Sequence, residues 1–250
     1  MQDTMEYGKA FTFPQQDTDW IKKVAIAGGI MFAGLAFSWL LLIPAIAAGL
    51  LLGGYGLEIT RRVIAGESNL LPEWTDFGGL FKKGFSVFVV QLVYALPIIV
   101  LALCITVPYI AASVAAGSSS NDAAGTMAII ANVVSVCCSC VIAIYAIFMA
   151  MLMPAAIGKL AATGEIGPAL RVGEVVALVR AKPAVFLIVA LLSGLASSIL
   201  SSIGSAICGI GAPFGIAYAI IVASHLYGQA YKVASAESGG AASPAAPATM

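Results

Sequence analysis

Apolar residues in this chain do not alternate with polar ones; they run in long unbroken stretches. Val24–Leu57, Gly84–Asn121, Ala123–Gly158 and Pro183–Tyr231 contain no Asp, Glu, Lys or Arg. A helix crosses the ~30 Å hydrocarbon core of a bilayer with about 20 apolar residues, so each stretch holds at least one crossing and some hold two. Read as one helix, Val24–Leu57 would be about 50 Å long. Pro44 lies near its middle, and Gly49, Gly53, Gly54 and Gly56 crowd its second half. The pattern therefore predicts two crossings, 24–43 and 46–64, turning at Pro44, with one long kinked helix as the alternative. Four more are predicted at 85–110, 128–157 (bent or ended near Pro154), 184–203 and 214–231. Ala111–Met127, with Gly117-Ser118-Ser119-Ser120-Asn121-Asp122, carries a loop signal, and Gly204–Pro213 reads as a glycine-rich turn.

The expected fold class is all-α integral membrane: a domain of six transmembrane helices as three hairpins over 24–232, with cytoplasmic-side interfacial amphipathic helices. An N-terminal cytoplasmic or interfacial segment, 1–23, precedes it. The tail 233–250, rich in Ala, Ser, Gly and Pro, is too poor in core-forming residues to fold and is expected to be disordered.

Composition strengthens the membrane reading. Of 250 residues, 61% are hydrophobic and only 10% charged, whereas soluble domains carry about 25% charged residues. With six crossings, all twelve Lys and Arg residues fall on one face and Asp122 alone is charged on the other. Positive charge marks the cytoplasmic side, which places both termini there. The one-helix alternative would put Lys9, Lys22 and Lys23 across the membrane and break this segregation. The polar, partly acidic N-terminus does not read as a signal peptide. Net charge is zero and no basic patch calls for nucleic acid; the bilayer is the first partner.

One unit is used three times: an interfacial segment, a basic pair, then an apolar hairpin. The first reads Phe13-Pro14…Trp20-Ile21-Lys22-Lys23, the second Leu71-Pro72-Glu73-Trp74…Lys82-Lys83, the third Pro168…Arg180-Ala181-Lys182-Pro183. In the second, Leu70, Trp74, Phe77, Phe81 and Phe85 recur every three or four residues. That spacing predicts a helical stripe suited to the headgroup plane, or a connector packed on the floor of the bundle. Leu71, Pro72, Glu73, Trp74, Phe77 and Phe81 are the candidate interaction surface. The third segment, Ile166–Lys182, is more apolar, and Val175, Val176, Leu178 and Val179 suggest that it is partly sunk.

Candidate chemistry is sparse. Cys137-Cys138-Ser139-Cys140 brings three thiols together, but neighbours on a helix point about 100° apart, so one helix cannot close a tetrahedral metal site. Only Cys104 and Cys208 are left to complete it, and we read these cysteines as small packing residues. His225 is the only histidine and is expected to hydrogen-bond to a neighbouring helix. Glu58 pairs with Arg61 or Arg62 one turn away; together with His225 and Gln229 they form a candidate polar inner-mouth group, either a gate or headgroup site or a self-neutralised helix end. Gly49-x-x-x-Gly53, the Gly194/Ser197/Ser198/Ser201/Ser202/Ser205 face, and Gly211 with Gly215 are close-packing devices. No catalytic, metal or cofactor residues are expected.

Gly54-Tyr55 followed by Arg61-Arg62, then Leu71-Pro72-Glu73-Trp74-x-Asp76-Phe77 and Phe81-x-x-Gly84, resembles the prokaryotic family catalogued as domain of unknown function 4013. His225-Leu226-x-Gly228-Gln229-x-Tyr231 is similar to that family's C-terminal segment, so the resemblance spans about 12–232. It implies a multi-pass protein of the prokaryotic plasma (inner) membrane and transfers no activity. The expected function is that of a non-enzymatic scaffold or accessory subunit with a membrane-protein partner or a second copy of itself. The alternative is a small-molecule or lipid permease, which the repeated hairpins and glycine-rich helices suggest.

Overall fold

The computed structural model describes residues 5–39, 42–118, 121–206 and 210–237, without the side chains of 115–124. Within them the chain is helical and holds no strand. A single turn, α1 (Lys9–Thr12), and a 3-10 turn (Phe13–Gln16) lead into α2 (Trp20–Ala36) and α3 (Ile43–Ala65). Then come α4 (Phe77–Ser118), α5 (Asn121–Thr163), the short α6 (Ile166–Leu170), α7 (Val172–Ala181), α8 (Pro183–Ala206) and α9 (Ala212–Glu237). Four helical stretches among the described residues are long and apolar enough to cross a membrane: Ile43–Ala65, Phe77–Val114, Gly125–Thr163 and Pro183–Ala206. The other two expected crossings correspond to α2, of 17 residues, and to α9, whose middle holds Ser224 and His225 and whose second half holds Gln229.

The Val24–Leu57 run is broken into two helices, but not at Pro44. The helix ends at Ala36, seven residues short of the expected 43, and Leu42 takes a left-handed conformation at φ 61°. Pro44 lies in the first turn of α3, where its missing N–H is one the helix has no partner for anyway. At the far end Gly66, at φ 72°, caps α3 in the left-handed conformation that a residue without a Cβ adopts at no steric cost.

The expected loop over 111–127 is largely helix: the backbone stays helical through Ser118 and again from Asn121. Alanines at 111, 112, 115 and 116 favour that extension. Pro97, Pro108 and Pro154 all sit inside helices, so α5 does not end at Pro154. The expected tail loses its first residues to α9, which runs to Glu237. Ala234 is fully buried and Lys182 pairs with Glu237; the rest of the tail, 238–250, lies outside the described residues.

The chain divides into two compact units, residues 1–90 with 151–250, and residues 91–150. In the first, α2 packs on α3, and α9 packs on α2, α3 and α8. Its core gathers Phe13, Ala27, Leu52, Tyr55, Ile59, Val63, Leu71, Trp74, Leu80, Ala217 and Ile221. Where α3 crosses the start of α4, glycines set the distance. A Cβ added to Gly54 would stand 1.8 Å from the Leu80 carbonyl oxygen, and one on Gly84 1.7 Å from that of Leu50. Gly49, by contrast, has nothing near its Cβ position and Gly53 only ordinary contacts. The close-approach positions are thus Gly54 and Gly84, not the expected Gly49/Gly53 pair. Gly211 and Gly215 do make the expected contact, against Gly204 and Leu200 of α8.

The second unit is an antiparallel pair built from the later part of α4 and the earlier part of α5. Tyr145 donates to the Tyr94 carbonyl at 2.8 Å, and Tyr109 to Asn132 Oδ1 at 3.2 Å. Its outward faces are apolar, with Leu103, Val107, Val136, Ile144 and Phe148 all exposed. Cys104, Cys137 and Cys140 are exposed as well, and Cys138 is half-buried.

Candidate functional site

The polar residues singled out in the sequence gather at one end of the first unit, where α3 ends, α4 begins and the N-terminal segment folds back. The stretch 66–76 between α3 and α4 is irregular, which corrects the expected amphipathic helix. Pro72 has no N–H to give a helix, and the Asp76 carboxylate instead accepts from the Gly79 N–H at 2.8 Å, capping α4 at its start. The candidate interaction surface splits accordingly. Leu71, Pro72 and Trp74 are buried, whereas Glu73, Phe77 and Phe81 stay exposed.

The buried part of this loop is tied down on three sides. The Trp74 ring lies on Tyr55, centroids 4.3 Å apart and planes 3° from parallel, and its Nε1 donates to the Lys23 carbonyl at 3.1 Å. Lys23 Nζ donates to the Leu71 carbonyl at 3.2 Å and to Asp17 Oδ2 at 2.8 Å, and pairs with Glu73 at 2.5 Å. Arg62 Nη1 donates to the carbonyls of Asn69 and Leu71. Two cations thus hold the loop by its backbone, and one indole locks it to α3. Beside this knot a cavity of about 370 Å³ is lined by Asp17, Asp19, Lys23, Asn69 and Glu73 among others.

Glu58, buried on α3, is the focus of a second cluster. Arg61 reaches its two oxygens at 2.6 and 3.1 Å, Arg62 reaches it at 3.2 Å, and Lys83 crosses from α4 at 2.8 Å. The pairing expected with the two arginines is present, and Lys83 adds a third cation. His225 and Gln229 do not join it. The His225 ring stacks on Phe13 at 4.4 Å with its Nδ1 buried and unpartnered, and Gln229 accepts from the Glu6 N–H. Helix geometry explains the split. Thr60 of α3 donates to the Ser224 carbonyl of α9, so that face of α3 meets α9 while Glu58 meets α4.

Lys23 and Lys83 are the residues that sequence reasoning missed. Lys22-Lys23 and Lys82-Lys83 read as uniform topology markers, yet the first of each pair is exposed while Lys23 is buried and Lys83 half-buried. Adjacent helical residues point about 100° apart, which was the available signal that one of each pair turns inward.

At Asp17, burial favours the neutral acid, but the hydrogen bonds from Lys23 and from the Asp19 N–H, with the Lys23 charge, outweigh it and hold the carboxyl below its ordinary value. Glu174 on α7 is likewise lowered, first by its hydrogen bond from Lys159 and then by that from Arg171. The expected third interfacial segment is helical here, with Val175, Leu178 and Val179 buried.

Among the described residues no three His, Cys, Asp or Glu side chains stand where they would hold a metal ion. Ser197, Ser198, Ser202 and Ser205 of α8 face outward, with no lining role in the cavity described above.

No curated protein and no solved structure matches the chain. One family profile does, over residues 37–209. It includes the Gly54-Tyr55, Arg61-Arg62, Leu71–Phe77 and Phe81–Gly84 stretches and stops short of His225–Tyr231. The match covers more than half of the chain, and the residues it contains are those that build the Tyr55–Trp74 stack, the Glu58 cluster and the Gly54/Gly84 crossing; the chain belongs to the family described as protein of unknown function DUF4013.

Proposed function

We propose that this protein is a non-enzymatic scaffold or accessory subunit of a complex in a prokaryotic plasma membrane. In this reading α2 with α3, α4 with α5, and α8 with α9 form three hairpins inserted from the cytoplasmic face. The six helices cross the bilayer, and both termini stay inside.

The observation that carries the reading is how the motif side chains are used. Trp74 is spent on Tyr55 and the Lys23 carbonyl, and Lys23 on Asp17, Glu73 and Leu71. Glu58 is spent on three cations of its own chain. These pairings make a rigid end to the bundle, with the Glu58 and Asp17 carboxylates held by cations of their own chain. Meanwhile the 91–150 helix pair presents apolar flanks for lipid or for a partner's transmembrane helix. The permease alternative calls for a path along Ser197–Ser205, and those serines face outward on α8 except the half-buried Ser201.

Purification in mild detergent tests the proposal. A stoichiometric membrane-protein partner or a second copy of the chain is expected to co-elute; a monodisperse monomer without partner contradicts it.

A further inference from the structure

The Glu58 cluster carries more positive charge than it neutralises. Three cations, Arg61, Arg62 and Lys83, converge on one carboxylate that is 7% exposed. Glu67 adds a second acid at 3.5 Å from Arg61 and 3.7 Å from Arg62, leaving one positive charge in excess. Exposed Lys82 stands beside it in sequence.

Glu58 does not exhaust the donors either. Arg61 has five N–H groups and Lys83 three. Arg61 gives Nε and Nη2 to Glu58, and Lys83 one hydrogen bond, while their side chains remain 48% and 43% exposed.

Position selects the partner. Ile43–Leu57 carries no charge, and the first charged side chain of α3 is Glu58, so the cluster begins where that helix leaves the apolar layer. On the adjoining α4, Phe77, Phe81, Phe85 and Phe88 are all exposed at spacings that put them on one side, a surface suited to acyl chains and the glycerol region. Cations with spare donors at that depth meet lipid phosphates.

We propose that Arg61 and Lys83 form a site for an anionic phosphate group, supplied by an acidic phospholipid headgroup or by free phosphate, with Lys82 adding its charge from the neighbouring face of α4. Glu58 holds the two inner cations in place and sets the spacing between them. Arg62 is turned to the Asn69 and Leu71 carbonyls and serves as the structural cation.

The inference rests on α3 being membrane-inserted, as in the function proposed above, but not on the scaffold role. A protein that captures no partner yet selects anionic lipid overturns that role and leaves this site standing.

The test is native mass spectrometry of the full chain in detergent, titrated with phosphatidylglycerol or phosphatidylcholine, with and without inorganic phosphate. The wild type is expected to prefer phosphatidylglycerol. Lys82→Gln, which lies outside the ion-pair network, and Arg61→Gln, which leaves Arg62 and Lys83 on Glu58, should each weaken that binding about five-fold, in line with one juxtamembrane cation. Displacement by millimolar inorganic phosphate assigns the site to the free anion, and its absence assigns it to the headgroup. Equal binding of the two lipids by the wild type, or phosphatidylglycerol binding unchanged in both variants, overturns the proposal.

Discussion

Tyr55 lies flat against Trp74 at 4.3 Å, and through the Trp74 Nε1 this stack joins α3 to the carbonyl of Lys23 at the start of α2. Three segments distant in sequence meet in one aromatic pair. Trp74→Phe keeps a ring on Tyr55 but removes the donor, and should cost about 1 kcal/mol. Trp74→Ala also empties a buried aromatic site and should cost about 3–5 kcal/mol. Thermal unfolding in detergent separates the two; equal losses would show that the hydrogen bond, not the stack, carries the joint.

The glycine crossing gives a sharper contrast. At Gly54 and Gly84 an added methyl meets backbone oxygen of the neighbouring helix, which cannot turn aside as a side chain can. Gly54→Ala or Gly84→Ala must push α3 and α4 apart, and we expect a loss of several kcal/mol or failure to accumulate in the membrane. Gly49→Ala meets open space and should be neutral or slightly stabilising, because alanine favours the helix by about 1 kcal/mol. Melting temperatures of the three variants settle the comparison.

Glu58→Gln leaves Arg61, Arg62 and Lys83 facing one another without their carboxylate. Losing one partner of a fully buried ion pair costs about 3–5 kcal/mol. Arg61 and Lys83 are half-exposed and can turn to water, so the expected loss is nearer 2 kcal/mol. Adding Lys83→Gln to Glu58→Gln should restore part of it. A double variant less stable than the single one would place the value of Glu58 elsewhere than in balancing those cations.

The docking of the N-terminal segment should depend on acid. The carboxyl of Asp17 titrates below its ordinary 3.8 in the folded chain, so its contribution is complete above that value and is lost as pH falls through the lower folded value. Protection of residues 5–19 from hydrogen exchange should therefore fall in strong acid. Asp17→Asn should show weaker protection already at neutral pH, with a shallower acid dependence. Identical profiles for the two proteins would remove Asp17 as the latch.

Much of the fold was legible because long uncharged apolar runs hold long helices. The uncharged runs from Val24, Gly84, Ala123 and Pro183 hold most of α2, α3, α4, α5, α8 and α9, several of which reach into the flanking polar residues. What the runs could not reveal is where a helix stops when both sides of the stop are apolar. The break that follows Ala36 lies among Phe37, Trp39 and Leu42, with no polar residue but Ser38 to announce it, and the one visible punctuation, Pro44, belongs to the next helix.

The site was half legible. Glu58 with its arginines follows from helical spacing, and the Leu71–Phe77 stretch stands out by composition. That the stretch is a knotted loop, that Lys23 is its anchor and that Lys83 turns to Glu58 are consequences of how α2, α3 and α4 pack, and no local pattern encodes them. His225 and Gln229 were grouped with Glu58 because both lie near a helix end; rotation about the helix axis separates them.

The account as a whole stands on hairpins inserted from one face of a membrane. With the five native cysteines replaced by serine, single cysteines in place of Lys22, Lys82 and Asp122 can be exposed on intact cells to a membrane-impermeant maleimide. The account predicts labelling at 122 alone, with 22 and 82 reacting only after the cells are opened. Labelling at 22 or 82 from outside would contradict it.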